Sequence, residues 1–209
     1  MSTESATETA FETGAFETGE ALLARHPGAI IQPVKGVWPR IAADAYIAPG
    51  AVVVGDVTIG VEASVWYGCL LRGDDHSITV GPRTNIQDGT IVHVMLNEYP
   101  TFIGADIVIG HGVRMHGCTL ADGCLVGIGA IVLDGAVVES GAMLAAGAVL
   151  TPRKRIPARQ LWAGSPAKHL RDVTDAEVEF IAFDVRHYAG LARAASGVLQ
   201  GGGRASSTC

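Results

Sequence analysis

The chain is predicted to fold as an all-β solenoid, a parallel β-helix closed by one C-terminal α-helix, and three observations predict it. An aliphatic residue returns every six positions, at Ile41, Ile47, Val53, Ile59, Val65 and Leu71, then at Val80, Ile86 and Val92, then at Ile103, Ile109 and Met115. After one short step the beat continues through Leu120, Val126, Val132, Val138, Leu144 and Leu150. Small residues, among them Ala51, Ala63, Ala130, Ala136, Ala142 and Ala148, stand four positions after members of this series. Only 6% of residues are aromatic while 27 are Gly, so the core is built from small and branched side chains with many tight turns. A period of six matches neither a helix nor a simple alternating strand, but it suits a coil whose short strands each end in a corner.

With 209 residues and 48% hydrophobic content, the chain can bury one core, and nothing asks for a second. A formal net charge of −6 and a pI near 5.6 leave no extended basic face, which argues against nucleic acid and anionic membranes as partners. The run Arg153, Lys154, Arg155 reads as a solvated corner. Cys69, Cys118, Cys124 and Cys209 form no CxxC pair, so they read as three buried fillers and one tail residue. The N-terminus has no basic segment followed by an apolar one, and no stretch is apolar enough for a membrane span, so the cytoplasm is the expected compartment.

In chain order, residues 1–35 read as a flexible arm and lead-in. FETG occurs at 11–14 and again at 16–19, in a stretch too polar to offset the entropy of ordering, with a short helix near residues 19–25. The coil occupies residues 36–171. Thr174 followed by Glu177 is a capping box that opens a helix over residues 172–196. On it Val178, Ile181, Ala182, Val185 and Ala189 share one face, which would cover apolar surface of the coil. His187 and Tyr188 read as ordinary helix-face residues, and residues 197–209 as a disordered tail.

The hexad pattern resembles that of the hexapeptide-repeat proteins, whose coil is triangular and left-handed with three hexapeptides per turn. The resemblance covers roughly residues 41–171 and includes LWAGSPAKHLR at 161–171. It implies the left hand, against the usual rule for parallel crossovers.

With three steps per turn, every third step stacks about 4.8 Å above its predecessor. If the extra residues between Leu71 and Val80, and between Val92 and Ile103, bulge out as corner loops, then Leu71, Val92 and Met115 share a side. The residues after them, Arg72, His93 and His116, then form a column. One histidine on an apolar strand is usually a satisfied core residue; two stacked histidines suggest a metal site, with Zn–N distances near 2.0 Å within their reach. His111 falls two positions after Ile109 on the preceding side, with Asp88 one turn below it, and points past another edge. A cyclic homotrimer would resolve this by setting one side of each subunit against another side of its neighbour, with the metal between chains and Arg72 facing Asp88 of the next subunit. Without the histidines, Arg72, Asp74 and Asp75 would read as a solvated loop.

LLRGDD at 70–75, NIQDG at 85–89, the pair Val92 and His93, and GHGVRMHGC at 110–118 together resemble the gamma-class carbonic anhydrases. The resemblance implies that His93, His111 and His116 bind a divalent metal between subunits, Zn2+ first, with Fe2+ or Co2+ also compatible. It further implies that Arg72 and Asp88 form an inter-subunit ion pair, and that Asn85 and Gln87 lie near the reacting water. Metal-activated water would attack CO2 and give bicarbonate. In the best-known active members a long acidic loop after the first histidine carries a glutamate proton shuttle; here VMLNEYPTF at 94–102 is short and offers only Glu98, with His76 as the other candidate relay. Two rivals belong to other classes. One is a non-catalytic trimeric scaffold stapled by the metal, the other a hexapeptide acyltransferase, which uses a single histidine base and has no need of a stacked pair.

Overall fold

In the computed structural model, which describes residues 15–201, the whole hexad series is buried, from Ile41 at 0% exposure to Met115 at 2%. These side chains fill the interior of a left-handed parallel coil of about seven turns. Three ladders define its sides. On the first, Leu71 pairs with Val92, Val92 with Met115, Met115 with Val132 and Val132 with Leu150. On the second, Ile59, Val80, Ile103, Leu120, Val138 and Ile156 stack in turn. On the third the stack is Ile47, Val65, Ile86, Ile109, Val126 and Leu144. Backbone N–H groups bond the turn above or below, so no turn is satisfied alone. The residues four positions after the aliphatic series turn inward at the corners: Ala130, Ala136 and Ala142 are fully buried, and Ile107 and Val113 fill the same slot on other turns.

The two insertions cost no side, but they differ in form. The extra residues expected to bulge at the corner between Leu71 and Val80 do so within one continuous strand, Leu70–Val80, which bends around the corner beside Val52–Ile59. Its neighbour takes the same corner with a register shift between Gly55 and Val57: Gly55 pairs with Gly73 and Val57 with Ile78, so residues 74–77 bulge out opposite Asp56 without ladder partners. Close approach requires glycine here: a Cβ on Gly55 (φ +78°) would lie 2.3 Å from the Gly73 carbonyl oxygen. The second insertion, after His93, is a loop closed by a bridge between Met95 and Tyr99.

The flexible arm read over residues 1–35 needs correction from residue 15 onward, while residues 1–14 lie outside the described residues. Phe16–Glu17 pairs antiparallel with Arg40–Ala42, and Ile30–Gln32 runs parallel to Val52–Ile59. Between them, helix α1 (Ala21–Arg25) sets Leu22 fully into the core. Two anchors, Leu22 and Ile31, are enough to dock a segment whose average composition is polar. His26 is buried beside them and its Nε2 has no hydrogen-bond partner among the described residues; burial, then nearby Arg25, pushes its pKa down to about 4.

At the other end, Gln160–Ala163 and Lys168–Asp172 form an antiparallel hairpin that covers the last rung of the third side. Helix α2 (Asp175–Gly201) follows, running past residue 196 into the stretch read as tail; residues 202–209 lie outside the described residues. Its capping box is formed: the Thr174 N–H donates to Glu177 Oε2 at 2.9 Å and the Glu177 N–H to Thr174 Oγ1 at 3.3 Å. Arg171 donates to both Glu177 oxygens at 2.8 Å. That guanidinium, followed by the Thr174 N–H, holds the Glu177 carboxyl down at about 2. The helix lies along the third side, with Ile181 and Val185 on Val108, Leu125 and Met143, and Tyr188 edge-on to Trp66 at 5.4 Å. Ala182, expected on the covered face, is exposed, and Tyr188 takes part in that packing instead. Cys69, Cys118 and Cys124 are buried and unbonded, with burial pushing the Cys118 thiol up to about 12. Among the described residues no helix is long and apolar enough to cross a membrane.

Candidate metal centre

His93 ends the strand Ile91–His93 and His116 ends Arg114–His116, and the two are paired rung on rung. Alternation along each strand sends Val92 and Met115 into the core and turns both histidines outward. Their rings stand 5.1 Å apart, with His93 Nδ1 only 3.1 Å from His116 Nε2. The remaining nitrogens face carboxylates: His93 Nε2 lies 2.9 Å from Asp74 Oδ1, and His116 Nδ1 lies 2.5 Å from Asp134 Oδ1. The Thr101 hydroxyl donates to the His93 carbonyl at 2.6 Å and ties that strand end to the start of the next strand, Thr101–Ile103.

The carboxylates are themselves placed by their surroundings. Arg72, in the rung below His93, donates to Asp74 Oδ2. Burial raises the Asp74 carboxyl, but the bond from His93 and then Arg72 outweigh it, leaving it below the ordinary carboxylate range. Asp134 reaches His116 across Gly117, where a Cβ would lie 2.7 Å from Asp134 Oδ1. Glycine at that position, with φ +52°, leaves the carboxylate its room.

A second group occupies the third side. His111 follows Val108–Ile109 and Asp88 follows Asn85–Ile86 one turn below, with His111 Nδ1 3.0 Å from Asp88 Oδ2. Asn85 and Gln87 are buried at 1% and 5% exposure, Gln87 Nε2 donating to Asn85 Oδ1 at 3.1 Å. The structure therefore brings Arg72, His93 and His116 together on one side, and Asn85, Gln87, Asp88 and His111 together on another. No hydrogen bond or ion pair joins the two groups among the described residues. Within one chain Arg72 meets Asp74, not Asp88. Glu98 is exposed in the loop after His93, and His76, two residues beyond Asp74, accepts the Ser77 N–H on Nδ1 at 2.8 Å.

Sequence reading missed the partnership of Asp74 with His93 and missed Asp134 entirely. The signal for Asp134 was its place two residues after Val132, the rung above Met115, opposite a glycine. A third donor cluster also exists, since one donor atom each from Asp74, Asp75 and His93 lies within 4.8 Å of the others. Asp74 in that cluster already carries Arg72 and the His93 ring. The histidine pair fits a metal better. Two imidazole nitrogens on a tetrahedral ion at about 2.0–2.1 Å stand roughly 3.3 Å apart, and here the facing nitrogens are 3.1 Å apart.

The coil and its closing hairpin define a hexapeptide-repeat protein with a left-handed β-helix. No family model matches the chain. It is 46% identical over 161 residues to gamma carbonic anhydrase 1, mitochondrial, of Arabidopsis thaliana, covering 75% of this chain and 58% of that one. It is 46% identical over 151 residues to a probable carbonic anhydrase of Methanocaldococcus jannaschii, covering 72% of this chain and 94% of that one. A crystal structure of a hexapeptide transferase family protein from Anaplasma phagocytophilum superposes with a TM-score of 0.76 at 45% identity, covering 79% of this chain and 97% of that one. The chain belongs to the gamma carbonic anhydrase family. It spans 58% of the length of the Arabidopsis relative.

Proposed function

We propose that this protein hydrates CO2 to bicarbonate at a divalent-metal centre shared between neighbouring subunits of a homotrimer, with Zn2+ as the ion and Fe2+ or Co2+ as compatible alternatives. The observation that carries the reading is the division of the histidines: a stacked pair with facing nitrogens on one side of the coil, and a single exposed histidine on another. A three-fold assembly that sets those sides together completes a three-histidine set from two half-sets. His93 and His116 of one subunit and His111 of the next would hold the ion. Bound by three neutral imidazoles, a divalent ion keeps its charge and acts as a Lewis acid that lowers the pKa of water.

The remaining residues handle that water. Gln87, fixed by its bond to Asn85, orients it by hydrogen bonding, and both arrive with His111 from the third side. Arg72 exchanges or shares its Asp74 contact with Asp88 of the neighbour, bracing the interface beside the histidines. Proton export falls to Glu98, in the loop after His93, or to His76, two residues beyond Asp74. The stacked pair speaks against an acyltransferase, which needs one base, and direct assay separates the enzyme from a metal-stapled scaffold. The test is stopped-flow CO2 hydration on anaerobically loaded protein, with metal content measured alongside. Full metal occupancy with a rate no higher than that of His93→Asn would overturn the enzymatic reading.

A further inference from the structure

We infer that Asp74 and Asp134 are positioning residues that fix the ring tautomers of His93 and His116, so that the two facing nitrogens both offer lone pairs to a single cation. The inference rests on the shared metal centre of the proposed function and concerns how one chain prepares its half. Asp74, His93, His116 and Asp134 form a four-membered line up the coil, with separations of 2.9, 3.1 and 2.5 Å. Asp74 stands on the turn below the histidine rungs and Asp134 on the turn above, so the line has an acid at each end.

An ionised carboxylate accepts hydrogen bonds and cannot donate them. The ring hydrogen therefore sits on His93 Nε2, facing Asp74, and on His116 Nδ1, facing Asp134. In a neutral imidazole the other nitrogen is then bare. Those bare nitrogens, His93 Nδ1 and His116 Nε2, are the two that lie 3.1 Å apart. They cannot hydrogen-bond each other in this state, yet strand pairing holds them together. A cation placed between them satisfies both. His111 repeats the device, with Nδ1 3.0 Å from Asp88 Oδ2 and Nε2 left over. The ring of His93 is used the other way round from that of His116, because its acid lies below it and the other's lies above.

The test compares wild type, Asp74→Ala and Asp134→Ala. Co2+ affinity is measured by competition with a chromophoric chelator, and ring tautomers by 15N spectra of histidine-labelled, metal-free protein. Each substitution is expected to weaken Co2+ binding about 10- to 100-fold, with melting temperature and oligomeric state kept, and to replace a single tautomer of the adjoining ring by a mixture. Unchanged affinity in both variants, with wild type binding Co2+, overturns this inference alone. Failure of wild type to bind Co2+ through its histidines overturns the metal centre itself. Tight binding that survives His116→Ala and is lost in Asp75→Ala would place the ion on the acidic cluster and overturn both. If the alanine variants do not fold, the wild-type spectrum decides: a hydrogen on neutral His93 Nδ1 or His116 Nε2 refutes the assignment.

Discussion

Two chains, each unable to bind metal alone, should restore part of the site when they assemble together. His93→Asn removes a donor from the stacked pair, and His111→Asn removes the donor on the third side, so either homotrimer is expected to be empty. Co-expressed at equal dose, they would form mixed trimers under the proposed assembly. In a centre shared across the interface, a His111→Asn chain still presents His93 and His116, and a His93→Asn neighbour on the correct side still presents His111. Each interface needs one particular order of the two chains, a chance of one half times one half, so about a quarter of wild-type occupancy returns under random assembly. The magnitude follows from the placement of the half-sites on separate ladders, which no hydrogen bond or ion pair joins among the described residues. Metal per chain is read by atomic emission and composition by native mass spectrometry. Zero recovery in a sample shown to contain mixed trimers would refute the shared site and the pairing of sides beneath it.

Gln87→Ala should leave metal content intact and lower CO2 hydration on the order of 100-fold if, as proposed, Gln87 positions water and ligates nothing; loss of metal would show the role to be wrong. Gly117→Ala forces a side chain onto φ +52° and into Asp134 Oδ1, whereas Gly129→Ala meets φ +67° with open space around it. Both should lose about 1–2 kcal/mol in denaturant unfolding, but only Gly117→Ala should also weaken Co2+ binding. Glu177 has its folded pKa held at about 2, below the ordinary 4.5. Its contribution to stability is therefore complete above about pH 4.5 and is lost as pH falls from there through 2. Wild type should lose more stability across that window than Glu177→Gln; parallel acid profiles would contradict the capping role.

The coil was legible because its rule is repetitive: a buried aliphatic residue every sixth position cannot be satisfied by a helix or a flat strand. Counting in columns also put His116 above His93 and His111 above Asp88, since register depends only on the number of residues per side. What counting cannot supply is contact made across a corner. Asp134 meets His116 through the gap at Gly117, and Asp74 meets His93 from the bulge at the corner of Leu70–Val80. The arm misled for a different reason. Its polar average hides Leu22 and Ile31, and two deeply buried side chains decide whether such a segment docks.

The loop after His93 enters and leaves the coil without shifting Val92 against Met115 or Ile103 against Leu120. Each rung is located by those directly above and below it, so the register of the coil does not depend on the amount of chain spent at a corner. The exposed tip of the loop, residues 95–98, could therefore lengthen, shorten or change sign of charge while the histidines stay on their rungs, with Val94 in the core and Tyr99 packed at Gly117. Under the proposed function, metal retention and the traffic of protons would then be separately heritable traits, and a lineage could tune the second by splicing at the loop tip while the first is held by the rungs.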